Sequence, residues 1–292
     1  MATAEAIRAT EVRAEGMARQ RAMPWLLVLP ALGVTSLFLV VPLVYLVVMS
    51  FTNGSSFLFK PVYTLENYRV IFSEQTFLIT TTVIQAAGSV VIDLLLGFPF
   101  AYLLVRRVRY RDLVRAFMAF PLFGPLYLAF GLRFILLPNA TFGHFLQSIG
   151  LNPVNFLYST PTVMFALAIG TLPFMVVNIA TSLQNVDRTL EEAAAALGAN
   201  GWQTFVRVLL PLTRAGLLSG SLMCFGWNLG VYVTPLILGT TADQRVLSVS
   251  MYIQGVVNTN YGMAAAQGIV LMLMATVVTY VSLRYSRGAL AK

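Results

Sequence analysis

Few side chains in this sequence can do chemistry. It has one histidine, His144, one cysteine, Cys224, and two lysines, Lys60 and Lys292. A phosphate-binding loop of the G-x-x-x-x-G-K-[ST] type cradles phosphates with backbone amides and reaches them with a lysine. Neither lysine follows a glycine, so no ATPase of that class resides in the chain. His144 has no cysteine near it and as a metal ligand would stand alone, which reads as a loop-surface histidine. Cys224 lies in an apolar run without a second cysteine to pair with, and reads as a small buried apolar group. Polar groups in apolar surroundings are more informative. Asp93 and Arg133 lie inside long apolar runs, where an ionised side chain at the bilayer centre costs from about 2.5 kcal/mol upward. Two roles stand open for each: lining a translocation path, or structure, as a paired or snorkelling side chain. A third feature is Gly226-Trp227-Asn228-Leu229-Gly230, followed by Tyr232, Thr234 and Pro235. Two glycines and a proline weaken a helix, and Asn228 needs a partner in lipid. A pore-lining break and close packing through small residues are both open there.

The elements that hold these residues follow from composition. Of 292 residues, 58% are hydrophobic and only 10% charged, against roughly 25% charged in an ordinary soluble domain. That excludes a soluble globular enzyme and, equally, disorder, which needs low hydrophobicity and high charge. Six runs approach or exceed the roughly 20 helical residues that cross a hydrocarbon core: 25–50, 77–105, 116–137, 161–181, 214–238 and 263–283. The fold class is all-α integral membrane with six transmembrane helices. The first run is too long for a signal peptide and no small-residue cleavage pattern follows it, so it reads as an uncleaved span behind a polar tail, 1–24.

Charge sets the orientation. An even number of spans puts both termini on one side, and 15 basic residues fall there against three (Lys60, Arg69, Arg245) on the other. By the positive-inside rule both termini are expected in the cytoplasm. The basic cluster Arg106–Arg115, in a short connection between two spans, reads as topology control and lipid headgroup contact rather than a nucleic-acid patch.

One cytoplasmic connection differs from the others. Residues 182–213 read SLQNVDRTLEEAAAALGANGWQTFVRVLLPLT, without a spanning run. Thr189 with Glu192 predicts a capping box opening a helix over Leu190–Leu197, and Gly198 supplies the left-handed residue that ends it. Asn200 with Gln203 repeats the start pattern, and Pro211 marks where the second helix stops or kinks. Ala193–Ala196 present a surface almost without side chains, suited to close docking in a partner's groove.

The same residues carry a family resemblance. Glu192-Ala193-Ala194, three residues, Gly198, nine residues, Val208, one residue, Leu210-Pro211 resembles the EAA loop of binding-protein-dependent ABC importer permeases, with Val208 in place of an isoleucine. Residues 24–46, 172–174 and 206–221 resemble the corresponding stretches of type I importer permeases. The resemblance implies a type I permease fold over 25–283, a coupling loop at 182–213 and a short cytoplasmic tail, 284–292. It implies that Glu192, Ala193, Ala194 and Gly198 dock into an ATPase subunit, and that Leu210 and Pro211 fix the loop against the fifth span. The implied partners are a cytoplasmic ABC ATPase dimer, a second and paralogous permease, a periplasmic solute-binding protein and membrane lipid. The chain needs no cofactor of its own, because ATP and Mg are bound by the partner ATPase.

Asn228–Gly239, NLGVYVTPLILG, resembles the polyamine and opine branch of these permeases. That implies uptake of spermidine, putrescine or an opine-like compound into a bacterium across its inner membrane, with Asp93, Asn228 and Tyr232 as residues of the translocation path. A permease for an amino acid, a sugar or iron is the alternative within the family. An ion-driven secondary transporter would show inverted repeats and leave the coupling loop unexplained. A membrane-embedded enzyme would need clustered His, Asp or Glu at a membrane face.

Overall fold

The computed structural model describes residues 28–53, 62–107, 124–239 and 245–290, in two compact units, 1–49 and 50–292. The predicted N-terminal tail, residues 25–27 of the first span and residues 116–123 of the third lie outside the described residues, as do Arg109–Arg115. The first unit holds nearly all of α1 (Val28–Ser50), which is apolar around its circumference, as a helix in lipid must be.

The second unit begins with α2 (Glu66–Ser73) and α3 (Thr76–Tyr102), whose last turn widens into a π-turn over Leu103–Arg107. There follow α4 (Pro125–Leu136), α5 (Thr141–Ser148), α6 (Pro153–Leu157) and α7 (Thr160–Gln184). Next come α8 (Arg188–Ala196), α9 (Gly201–Leu212), α10 (Arg214–Gly230), α11 (Val233–Leu238), α12 (Leu247–Val257) and α13 (Tyr261–Leu290). Among the described residues α1, α3, α7 and α13 are long and apolar enough to cross a membrane unaided.

The predicted fifth span, 214–238, is not one helix. It ends at Gly230, passes through Val231 in extended conformation (φ −70°, ψ 120°) and restarts at Val233. The cause is Pro235: it has no N–H for the Val231 carbonyl four residues back, and its ring clashes with that carbonyl in a continuous helix. The freed Val231 oxygen accepts from Ser248 Oγ at 3.0 Å instead. Ser248 belongs to α12, an apolar helix of 11 residues that the sequence reading left inside an outer connection because it is too short to span. Its first N–H, on Leu247, donates to Thr82 Oγ1 of α3 at 2.8 Å. The described part of the third span, α4, is bent by 48° from α5. The sixth helix continues through the predicted C-terminal tail to Leu290.

Three apolar clusters hold the second unit. The first joins α3, α7 and α10 through Phe98, Met175, Ile179 and Cys224, and includes Leu209 of α9. The second joins α4–α7 with α11 through Ala129, Leu157, Val163 and Leu238. The third joins α2, α3, α12 and α13 through Ile71, Leu78, Leu247 and Ala266. Helices meet most closely where a side chain is missing. A Cβ on Gly216 of α10 would sit 2.5 Å from the Asn178 carbonyl oxygen of α7, and one on Gly220 would sit 2.8 Å from Met175 Sδ. This Gly216-x-x-x-Gly220 spacing is the small-residue packing pattern of membrane helices. At Gly226 and Gly230 an added Cβ meets nothing within 4 Å, so the close packing of this span falls earlier than its Gly226–Gly230 segment.

Gly216→Val is therefore expected to destabilise the detergent-solubilised chain by about 1–3 kcal/mol through overpacking, seen as a lowered thermal midpoint. Gly226→Ala, with open space for its methyl group and the better helix propensity of alanine, is expected not to lower that midpoint.

Candidate functional site

The 182–213 segment folds as two short helices joined by a glycine. Its first helix starts two residues earlier than the Thr189–Glu192 box predicts. The cap is Asp187, whose Oδ1 accepts from the Thr189 N–H at 2.9 Å. A carboxylate is a strong acceptor at a helix N-terminus and favours the dipole there, so it takes the capping position. That backbone hydrogen bond holds the Asp187 carboxyl below its ordinary range. Gly198 has φ +86°; its N–H bonds to the Ala195 carbonyl and the Ala199 N–H to the Ala194 carbonyl, a Schellman ending. The second capping box forms as predicted: Asn200 Oδ1 accepts from the Gln203 N–H at 2.8 Å, and Gln203 Oε1 from the Asn200 N–H at 2.9 Å. After Leu210 and Pro211 the helix breaks at Thr213, and α9 and α10 are bent by 72°.

α8 buries none of its residues. Glu192, Ala193 and Gly198 are exposed and Ala194 is half-buried. Leu197 is 89% and Trp202 71% exposed, which is unusual for apolar side chains of this size outside lipid. Leu210 and Pro211 are exposed at the base of the segment, beside the buried Leu209 and Thr213.

Two residues at this end have a role the sequence reading did not give them: Glu191 was not singled out, and Arg106, read with its basic cluster as lipid headgroup contact, is instead buried against Glu191. Arg106, in the π-turn after α3, places Nε 2.7 Å from Glu191 Oε1, and the two side chains are only 12% and 14% exposed. Arg106 was legible as one of many loop arginines, and Glu191 as the neighbour of Glu192; nothing in the sequence pairs positions so far apart. A cavity of about 770 Å³ opens between α3 and the segment, with Phe98, Tyr102, Arg106, Glu191, Trp202 and Phe205 in its lining.

Within the spans, the structure joins two of the three residues predicted for the path. Asp93 of α3 is fully buried, and its Oδ2 accepts from Thr171 Oγ1 of α7 at 2.7 Å. Asn228 of α10 donates to Ser89 Oγ at 2.8 Å and to Thr171 Oγ1 at 3.3 Å. Cys224 Sγ reaches the Thr171 carbonyl at 3.6 Å. Asp93 Oδ1 has no hydrogen-bond partner, and no ion pair includes Asp93, among the described residues. Thr171 and Asn228 border a cavity of about 250 Å³ that also touches Gly170, Phe174, Trp227 and Thr234. Tyr232 is not in the cluster: it sits in the α10–α11 break and stacks on Tyr252 with ring centroids 5.2 Å apart. Arg133 of α4 lies 3.4 Å from the Ile237 carbonyl at the end of α11, a backbone partner suited to a cation. His144 is exposed on α5. Among the described residues no three His, Cys, Asp or Glu side chains cluster as metal ligands.

A helical protein with apolar, broken spans and an exposed two-helix segment at one end of its bundle has the architecture of a transport permease. The family of binding-protein-dependent transport system inner membrane components matches residues 17–289; the chain belongs to that family and is a permease subunit of an ABC importer. Similar proteins include the spermidine/putrescine transport system permease PotB of Haemophilus influenzae (27% identity, 86% of this chain and 89% of that one). PotB of Escherichia coli is similar at 27% identity over 89% of this chain and 97% of that one. The trehalose/maltose permease MalF of Thermococcus litoralis is similar at 28% over 92% and 95%. In fold, the chain is similar to a bacterial ABC transporter involved in import of the acidic polysaccharide alginate (TM-score 0.72, 22% identity, 94% of this chain and 98% of that one). It also resembles an inward-facing methionine ABC transporter, MetNI (TM-score 0.55, 18% identity, 74% and 99%).

Thr171→Val keeps the side-chain shape but removes the donor to Asp93 and the acceptor for Asn228. It is expected to cost about 1–3 kcal/mol, because buried polar partners are left unsatisfied, as a lowered midpoint in thermal or SDS unfolding. An unchanged midpoint would show that the cluster does not hold the three helices.

Proposed function

We propose that this permease imports a small organic cation of the polyamine class, with opine-like compounds next. ATP hydrolysed by a cytoplasmic ATPase dimer seated on the 182–213 segment drives the import. The single observation that carries the coupling half of this reading is the exposed α8–Gly198–α9 segment. It ends the bundle with no buried residue in α8 and with Leu197 and Trp202 turned to solvent. Glu192, Ala193, Ala194 and Gly198 are the docking residues, and Leu210 and Pro211 anchor the segment at the 72° turn into α10. The alanines let a partner's backbone approach, and Gly198 holds the angle between the two helices.

The substrate half rests on the two PotB relatives and on chemistry inside the spans. A buried carboxylate, Asp93, backs a cluster whose Asn228 borders a cavity with Trp227 and Phe174 on its wall. Carboxylate and aromatic faces both attract organic ammonium groups. Asp93, Asn228 and Tyr232 are the path residues. A sugar is the second reading, favoured by the MalF relative and by the pairing of an amide with aromatic faces. The remaining partners are a periplasmic solute-binding protein, a paralogous permease and lipid. Both termini face the cytoplasm, on the strength of the basic residues counted there. The alginate transporter, solved in complex with a pentasaccharide-bound periplasmic protein, is a fold-level parallel for the binding-protein partner.

The test is uptake by the complete complex in proteoliposomes. ATP-dependent import of labelled spermidine or putrescine is expected, with maltose and methionine excluded. Import by this chain alone without ATP would overturn the ABC reading, and import of a sugar in preference to a polyamine would overturn the substrate reading. Gly198→Trp, which forces a bulky side chain into φ +86°, is expected to release the ATPase and abolish import while the chain still inserts.

A further inference from the structure

Adjacent glutamates in a helix point about 100° apart, and here they meet different surroundings. Glu192 is turned outward, its side chain 69% exposed and 3.5 Å from Arg188 within the same helix. Glu191 is turned toward the bundle. Its Oε1 lies 2.7 Å from Arg106 Nε, and its Oε2 accepts from the Tyr102 hydroxyl at 3.2 Å. The guanidinium also donates through NH2 to the Val186 carbonyl at 2.8 Å, just ahead of the Asp187 cap. One arginine at the end of α3 therefore grips both the start and the first turn of α8. Phe98 adds an edge-on contact to Phe205 of α9, ring centroids 4.7 Å apart.

The positions of these residues along α3 give the grip a use. α8 has no buried apolar residue, so little apolar packing resists its displacement. A largely desolvated ion pair at 2.7 Å, flanked by the hydrogen bonds from Tyr102 and to the Val186 carbonyl, is stiff by comparison. Arg106 sits in a π-turn, and such turns re-aim side chains and are frequent at functional sites. Pro99, one turn before that π-turn, leaves the Leu95 carbonyl without its helical bond, a local weakness in α3. Thirteen residues before Arg106 on the same helix stands Asp93, roughly 20 Å away at 1.5 Å per residue. Thr171 links Asp93 onward to α7 and α10.

We propose that Arg106, Glu191 and Tyr102 form the clasp that carries displacement of the ATPase-docking segment into α3, which makes Arg106 a positioning residue of the transport cycle. Glu192 is then the glutamate for the ATPase and Glu191 the glutamate for the permease's own bundle. The proposal rests on the reading of 182–213 as the docking segment.

The test uses the complete reconstituted complex and reads three quantities: ATPase subunit retained, ATP hydrolysis stimulated by the loaded binding protein, and solute imported per ATP. Arg106→Gln and Glu191→Gln are expected to retain the ATPase while import per ATP falls about tenfold, inside the usual range of coupling factors. The charge-exchanged pair Arg106→Glu with Glu191→Arg is expected to recover most of that loss. Glu192→Gln is expected to weaken ATPase retention instead. Unchanged import per ATP in either single variant overturns the clasp. So does an exchanged pair no better than the singles, or loss of the ATPase from the Arg106 variant. Tyr102→Phe, which removes one hydroxyl without stranding a charge, must lower import per ATP in the same direction if the single variants fail to fold, and an unchanged value there overturns the clasp as well. The docking reading fails separately, if Gly198→Trp keeps its ATPase.

Discussion

The bundle turns on one hydroxyl. Thr171 Oγ1 sits where α3, α7 and α10 cross, donating a hydrogen bond to Asp93 and accepting one from the Asn228 amide. The same oxygen is 3.0 Å from the Leu167 carbonyl one turn back, and the Asp93 carboxyl oxygen is the nearer acceptor of its hydrogen bond. In lipid no apolar driving force holds helices together, so interhelical hydrogen bonds and close packing must do so. Here the two means are spatially ordered. The hydroxyl cluster joins three helices at mid-span, while Gly216 and Gly220 bring α10 against α7 nearer the 182–213 segment.

That division leaves the other part of α10 comparatively free. Beyond Asn228 the helix ends, Val231 is extended and its carbonyl is served by Ser248 from α12 rather than by its own helix. A backbone held by side chains of a neighbouring element can exchange those partners when the neighbour shifts, which a continuous helix cannot do. The 182–213 segment at the opposite side of Gly216 is joined to the bundle by the Arg106–Glu191 pair, the Phe98–Phe205 contact and the buried Leu209.

Much of this was legible from residue types alone. The spans, the exposed two-helix segment, the left-handed Gly198 and the Asn200–Gln203 box all follow from local rules, because helix periodicity and capping act within a few residues. One local expectation failed for a local reason: Asp187 outcompeted Thr189 as a cap because a carboxylate is the better acceptor at a helix start. Of the two accounts left open for the fifth span, the helix break is the one seen, at Pro235. α12 was missed because its 11 residues are too few to span and its partners, Thr82, Val231 and Gln267, lie far away in sequence.

The chain by itself determined that it is a membrane protein, where most of its spans lie, and that one soluble segment is built for contact. Those properties depend on each residue's own solvent preference and on neighbours within one or two turns. Only the tertiary structure decided which polar residues belong together. Asp93 meets Thr171 across 78 positions, and Asn228 meets Ser89 across 139. Arg106, one basic residue among several in its connection, finds Glu191 on α8. An ion pair or hydrogen bond is fixed by distance in space, and distance between helices is set by packing that no stretch of sequence states locally.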